Sequence, residues 1–458
     1  MIWEFADVLG RRLVFWGVLS IAIGLGPALA GDPFWRGLGA MFVAWGAVDA
    51  ALGAGARVLA ERNRRASIGD VARRDRDGAR LRAILLVNAG LDVLYVALGA
   101  WFIASAGSDA WRAGAGWGIV AQGGFLLLFD LVHARWVPAP GPLLPDGVEL
   151  FAGPGHEGFR LIRVDDGGGP ASAHRPEAVR GALLVHGFAG TPKEMRGLAA
   201  VLASSGWIVE VPRLPGHGPA IRDIADYRVE DWVRTVEEGA EALRASGVTQ
   251  LIVAGHSVGG ALALATCARV RPDALVLLAP FWWPVPWWQR LVAPVLRVFL
   301  PPGFRIFDRM DPHDPAVRAS MEGFLPGMDL DDPAVLAGLR RLQVPLSALE
   351  QLFRVSALAG TAAPSVRVPV LAVQGTGDTV SRPERTRRLV ALLPSPPSSL
   401  EVEAAHDLVT EASPARDQVL AAVLVFTTEV ARPGPFEQVA AAHRHGPGDG
   451  QPEPGVST

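Results

Sequence analysis

Four apolar stretches, at 13–30, 38–56, 83–104 and 117–131, dominate the first 137 residues and restrict what this part of the chain can become. Each is close to the ~20 residues a helix needs to cross a ~30 Å hydrocarbon layer. All four are rich in glycine and alanine, the small residues that let membrane helices approach closely. Helices of a buried soluble bundle would carry a polar stripe, and these show almost none. Half of the whole chain is hydrophobic and only 19% is charged, which is apolar for a soluble protein. The expectation is an all-α transmembrane four-helix domain over 1–136.

Flanking charge gives that domain a direction, because Arg and Lys beside membrane segments stay preferentially in the cytoplasm. Arg11 and Arg12 precede the first stretch, and the loop between the second and third carries an arginine-rich run from Arg57 to Arg82. The other two loops hold only Arg36 and Arg112. Both chain ends are therefore expected in the cytoplasm of a multi-pass protein of the cell membrane. Arg11-Arg12, an apolar run and Ala28-Leu29-Ala30 also resemble a cleaved signal peptide, but acidic Glu4 and Asp7 in the leading region argue against it. Asp49, Asn88, Asp92 and Asp130 lie inside the apolar stretches. Intramembrane carboxylates raise the hypothesis of a proton or ligand path, and a polar contact that fixes helix packing is the alternative.

Residues 137–147 are rich in Pro and Gly and read as a linker. From Ala182 onward, short apolar runs alternate with helical patterns, which predicts an α/β domain over 148–432 with a mostly parallel sheet and helices on both faces. The alternation stops over about 281–365, which reads as a helical cap insertion, and the Gly- and Pro-rich tail at 433–458 reads as disordered. The net charge of −3 gives no reason to expect nucleic acid as a partner. The single cysteine, Cys267, excludes an internal disulfide and a cysteine-based metal site. His443 and His445 on the tail are too few for a convincing metal site, and no metal or cofactor is expected.

The chemistry concentrates in a few short motifs. Gly255-His256-Ser257-Val258-Gly259 follows the strand pattern LIVA and precedes a helical pattern. A sharp strand-to-helix turn of this kind lifts a serine oxygen above the sheet, and the glycines give the turn room. Ser257 is the candidate nucleophile. His186-Gly187-Phe188-Ala189-Gly190 ends another strand, where the backbone N–H of Phe188 joins that of Val258 as a candidate oxyanion donor. Asp378, in the loop Gly375-Thr376-Gly377-Asp378, and His406, in a loop expected at the start of the last helix, each follow a later strand in the order nucleophile, acid, base. His186 and His217 read as structural or loop-shaping, and Asp407 as a helix cap.

The segments 186–199, 212–218, 255–260, 375–384 and 405–408 together resemble the carboxylesterase and monoacylglycerol-lipase branch of the α/β-hydrolases. The resemblance runs from about 182 to 431. It implies an α/β-hydrolase fold, Ser257, Asp378 and His406 as triad, residues 281–365 as cap, and esters of medium acyl chains or monoglycerides as substrates. A four-helix membrane domain is not part of that family's usual pattern. Trp282, Trp283, Trp287 and Trp288 in the cap suit a surface where an apolar body meets water. They are read either as a lid lying on the bilayer or as the lining of an apolar pocket; Phe188, Trp282 and Trp283 are the candidate substrate-binding residues. The expectation is a membrane-anchored serine hydrolase of lipid-like carboxylic esters, with the lipid bilayer and a small-molecule or lipid ester as partners. Two alternatives stand beside it: a membrane sensor or transporter-like protein whose hydrolase-like domain only binds a ligand, and a thioesterase or amidase using the same triad.

Overall fold

The computed structural model describes residues 2–66, 70–137, 151, 154–163, 178–286, 303–305, 307, 310–314, 317–318, 329–341 and 343–430. Most of the expected linker, Trp287, Trp288, and the tail with His443 and His445 lie outside the described residues. Helices α1 (Ile2–Ala28), α2 (Pro33–Ala66), α3 (Val71–Ala104) and α4 (Ala110–Trp136) come first. After β1 (Phe159–Leu161) and β2 (Arg180–Val185), the chain runs through α5 (Arg196–Ser204), β3 (Ile208–Val211), α6 (Val229–Ala245), β4 (Gln250–His256), α7 (Val258–Val270) and β5 (Ala274–Leu278). Then come β6 (Gly303–Arg305), α8 (Pro333–Arg341), β7 (Gln343–Pro345) and α9 (Leu346–Ala362). The order closes with β8 (Val370–Gly375), α10 (Pro383–Val390), β9 (Ser398–Val402) and α11 (Arg416–Val430).

Two compact units interleave along the chain. One comprises Met1–His156, Leu214–Trp232 and Trp283–Val355; the other comprises Glu157–Arg213, Val233–Trp282 and Ser356–Thr458.

In the first unit, all four long helices are long and apolar enough to cross a membrane. At 1.5 Å per residue the 34-residue α2 and α3 reach about 51 Å. Their excess over an apolar core carries the arginines between 57 and 82. Outward side chains such as Val18, Leu52, Leu94 and Leu128 are more than half exposed. That is consistent with helices whose outer faces are covered by lipid.

What holds α1 against α2 is a glycine repeat of seven residues on each helix: Gly10, Gly17 and Gly24 meet Gly53, Gly46 and Gly39 in antiparallel order. A Cβ at Gly17 would stand 2.4 Å from the Gly46 carbonyl oxygen, so only glycine permits this approach. Polar groups add cross-links, with Trp16 Nε1 donating to Gln122 Oε1 at 2.9 Å and Asn88 hydrogen-bonded to Asp130. Asp49, Asp92 and Asp130 are all buried. The other segments of this unit are fastened to the helices by charge. Arg74 pairs with Asp223 and, at 3.5 Å, with Asp226; Arg228 reaches Glu61 at 3.3 Å, and Glu4 accepts from the Ser347 N–H at 2.6 Å. Alongside α8 and α9, this part of the insertion contains the antiparallel pair β6–β7.

The second unit is a seven-stranded sheet in the order β1-β3-β2-β4-β5-β8-β9. Only β1 runs antiparallel to its neighbour. The central strands ALLV, LIVA, ALVLL and VLAV are apolar at every position and buried on both faces, as parallel strands covered by helices must be. Trp207, Leu184, Ile252, Val276, Val373 and Phe426 belong to one buried cluster of this unit. Strand ends β2, β4, β8 and β9 release the loops considered next.

Candidate active site

Ser257 sits in the turn between β4 and α7 with φ 53° and ψ −114°, a conformation that non-glycine residues rarely adopt. The surrounding backbone enforces it. The Ser257 N–H donates to Leu278 O at 2.8 Å, and Ser257 O accepts from Phe281 N at 2.8 Å. A Cβ at Gly255 would lie 2.2 Å from the Gly259 carbonyl, and one at Gly259 would lie 2.1 Å from Val185 O. Both glycines are thus required by close backbone approach.

His406 Nε2 is 2.9 Å from Ser257 Oγ, and His406 Nδ1 is 2.7 Å from Asp378 Oδ2. Asp378 is buried, and its other oxygen accepts from the N–H groups of Val380 and Ser381 at 2.8 and 2.9 Å. Burial alone would raise its pKa; the His406 bond, the His406 charge and the two N–H donors outweigh it and hold the carboxyl below the usual range. Gln374 Nε2 adds a bond to Asp378 Oδ2 at 3.2 Å and another to Ser381 O at 2.9 Å. The carboxylate is therefore fixed in ionised form against one imidazole nitrogen, and the other nitrogen faces the serine.

Val258 is the first residue of α7, where a helix N–H has no intrahelical acceptor. Phe188 follows Gly187 in the turn closed by Gly190 N and Gly187 O at 3.2 Å, with Ala189 at φ 59°. A Cβ at Gly187 would be 3.3 Å from Ser257 Cβ, which puts this turn directly beside the serine. Trp282 belongs to the same unit, half-buried, with its ring against Gly360. Trp283 falls in the first unit, with its ring 6.2 Å from that of Phe353.

Two expectations change. His406 does not begin the last helix: the chain makes turns over 406–415, and α11 starts only at Arg416. Pro414 disfavours helix in the residue before it, which delays the start. Asp407 accordingly does not cap α11. Its Oδ1 accepts from Val409 N and Thr410 N, both at 3.1 Å, and this local turn shapes the loop that presents His406.

A second pair, buried His256 with half-buried Glu194, is marked by no motif. His256 and Glu194 approach at 3.4 Å (Nδ1 to Oε1), and His256 Nε2 is 2.9 Å from His406 O. Glu194 also accepts from the Gly187 N–H. Burial opposes charge on His256, but the Glu194 carboxylate and the His406 carbonyl outweigh it and raise the His256 pKa to about 9. This part-buried ion pair thus joins the Phe188 turn to the His406 loop. His186 is structural, fully buried with Nδ1 2.9 Å from Gly187 O. His217 lies in the first unit, its Nδ1 3.0 Å from Pro215 O. Among the described residues no group of three or more His, Cys, Asp or Glu is arranged to hold a metal.

Comparison with known proteins gives matches to both parts of the chain. Residues 177–413, just over half of it, match the family described as serine aminopeptidase, S33. Residues 12–131 match a family of unknown function, DUF6992. A thermostable monoacylglycerol lipase of a Bacillus species is 48% identical over 93 residues, which is 20% of this chain and 36% of that protein. A carboxylesterase of Bacillus subtilis is 32% identical over 85 residues, 19% of this chain and 35% of that protein. The chain thus spans about a third of the length of these curated relatives. A monoacylglycerol lipase structure from Paleococcus ferrophilus aligns with a TM-score of 0.43 and 21% identity, covering 60% of this chain and 98% of that one.

Proposed function

The chain belongs to the serine aminopeptidase S33 family of the α/β-hydrolase superfamily, and on that footing we propose that it is a serine hydrolase of lipid-like carboxylic esters, anchored in a membrane by α1–α4. The observation that carries this reading is the hydrogen-bonded series Ser257–His406–Asp378 on a strained strand-to-helix turn.

His406 Nε2 takes the proton of Ser257 Oγ as that oxygen attacks the acyl carbonyl. Asp378 holds the imidazole in the tautomer this needs and stabilises the imidazolium that forms. The carbonyl oxygen becomes an oxyanion held by the N–H groups of Phe188 and Val258. As the intermediate collapses, the ester bond breaks and the leaving alcohol departs with the proton from His406. Water, deprotonated by the same imidazole, then cleaves the acyl-enzyme and frees the acid.

The names of the lipase and the carboxylesterase support an ester, while the family description names a peptidase, so ester and amide hydrolysis must be compared directly. The lipophilic substrate class rests on the anchor: an enzyme held at a bilayer meets substrates that partition into it. Arginine asymmetry favours a cytoplasmic location for the hydrolase unit.

The test uses the full chain in detergent or vesicles. Labelling by a fluorophosphonate probe is expected, with loss in Ser257→Ala. Hydrolysis of monoacylglycerols and p-nitrophenyl esters of graded chain length should exceed that of aminoacyl amides. A protein that binds these esters but neither labels nor turns over would refute the enzyme reading.

A further inference from the structure

A cavity of about 730 Å³ lies inside the first unit, where the first turns of α1 meet the last turns of α2 and α9 supplies part of the wall. It is separate from the residues assigned to ester chemistry. Six arginines and four carboxylates line it. Their pairing is uneven. Asp7 accepts from Arg11 Nε at 2.8 Å and from Arg57 Nε at 3.1 Å. Glu61 accepts from Arg64, Arg65 and Arg228 at 3.0, 3.0 and 3.3 Å. The lining thus carries two more arginines than carboxylates, Arg62 among them.

Donors remain uncommitted. Arg11 and Arg57 each spend Nε on Asp7, and their terminal Nη1 and Nη2 groups have no acceptor among the described residues. Gly10 makes room for this arrangement, since a Cβ there would stand 2.6 Å from Arg57 Cγ. A second, independent observation points the same way. Ser347 lines the cavity, is only 3% exposed, and its Oγ is buried without a partner.

Position narrows the ligand. The apolar run of α1 begins at 13 and that of α2 ends at 56, so Arg11 and Arg57 mark the edge of the hydrocarbon layer. Ala54 and Val58 of α2 also line the cavity, and Val58 is 63% exposed. Forked guanidinium donors match the oxygens of a phosphate, and the neighbouring apolar wall suits acyl chains. We infer that this cavity binds the phosphate of an anionic phospholipid headgroup. The ligand bridges α1 and α2 to α9 through Ser347. The inference rests on the membrane-anchored part of the proposed function and is independent of the triad.

The test titrates the purified full chain in nonionic detergent with short-chain phosphatidylglycerol, short-chain phosphatidylcholine and inorganic phosphate, followed by calorimetry. Phosphatidylglycerol is expected to bind at least ten-fold more tightly than phosphatidylcholine. The double variant Arg11→Gln/Arg57→Gln should lose about ten-fold or more of that affinity, the scale of lost charge-assisted hydrogen bonds, and Ser347→Ala a smaller part. Retained fluorophosphonate labelling of Ser257 shows that these variants are folded. Equal binding of the two lipids, or undiminished binding by the double variant, overturns the assignment. Competition by inorganic phosphate at concentrations matching the lipid also overturns it, in favour of a soluble anion. Sedimentation with membranes after alkaline carbonate separates the premises: release of the chain defeats the membrane reading, while retention with no headgroup preference defeats only this inference.

Discussion

Asp378 shows how much of the site depends on atoms outside the three reacting side chains. Two backbone N–H groups and Gln374 keep it ionised and aimed, so replacing it with Asn would keep the shape while turning a donor towards His406. Asp378→Asn is expected to lower kcat by about four orders of magnitude with little change in KM, measured on any ester the enzyme turns over. The His256–Glu194 pair has a different signature. His256 has a folded pKa of about 9 against an ordinary 6.5, so its pairing with Glu194 stabilises the fold fully below about pH 6.5 and is lost as pH rises through about 9. The unfolding temperature of the wild type should therefore fall from pH 7 to pH 10. Glu194→Gln should be less stable at pH 7, by about 1–3 kcal/mol, and its unfolding temperature should change less across that window. An unchanged slope in Glu194→Gln would show that the pair does not set this pH dependence. Ser257, Asp378 and His406 were legible because each follows a recognisable strand and loop. Glu194 was not, since its partner lies 62 residues away and nothing beside it marks the contact.

At the level of elements, the parallel strands could be read directly because their runs are apolar without interruption. The start of α11 could not, because the turns over 406–415 depend on Asp407 and Pro414 rather than on any apolar period. The four long helices were legible as helices, but their pairing was hidden in a repeat of small residues. Glycine at every seventh position keeps one seam facing its partner along two antiparallel helices. The seam makes a selective prediction. Gly17→Leu or Gly46→Leu forces backbone against side chain and is expected to destabilise the α1–α2 pair by about 1–3 kcal/mol or more. Gly55→Leu, on the same helix as Gly46 but with open space at its Cα, should be neutral. Thermal unfolding in detergent distinguishes these variants, and equal effects at Gly46 and Gly55 would contradict close packing along the seam.

For the molecule as a whole, the division of the chain matters more than the family of either part. Leu214–Trp232 and Trp283–Val355 lie within the stretch that chain order assigns to the hydrolase, yet they form one compact unit with α1–α4. Their ties are specific: Arg74 to Asp223 and Asp226, Arg228 to Glu61, and Glu4 to the Ser347 N–H. If the four helices served only as a tether, cutting the chain within 137–147 would release a stable enzyme. The interleaving implies otherwise. Without residues 1–136, Asp223 and the Ser347 N–H are left without these partners, and loss of a partner to a buried polar group costs about 1–3 kcal/mol each. A chain beginning near 148 is therefore expected to unfold at a lower temperature or to aggregate, and to label weakly with a fluorophosphonate. Arg74→Ala in the full chain should reproduce part of that loss without removing any helix. Full labelling and unchanged unfolding of the truncated chain would reduce the helical domain to an anchor.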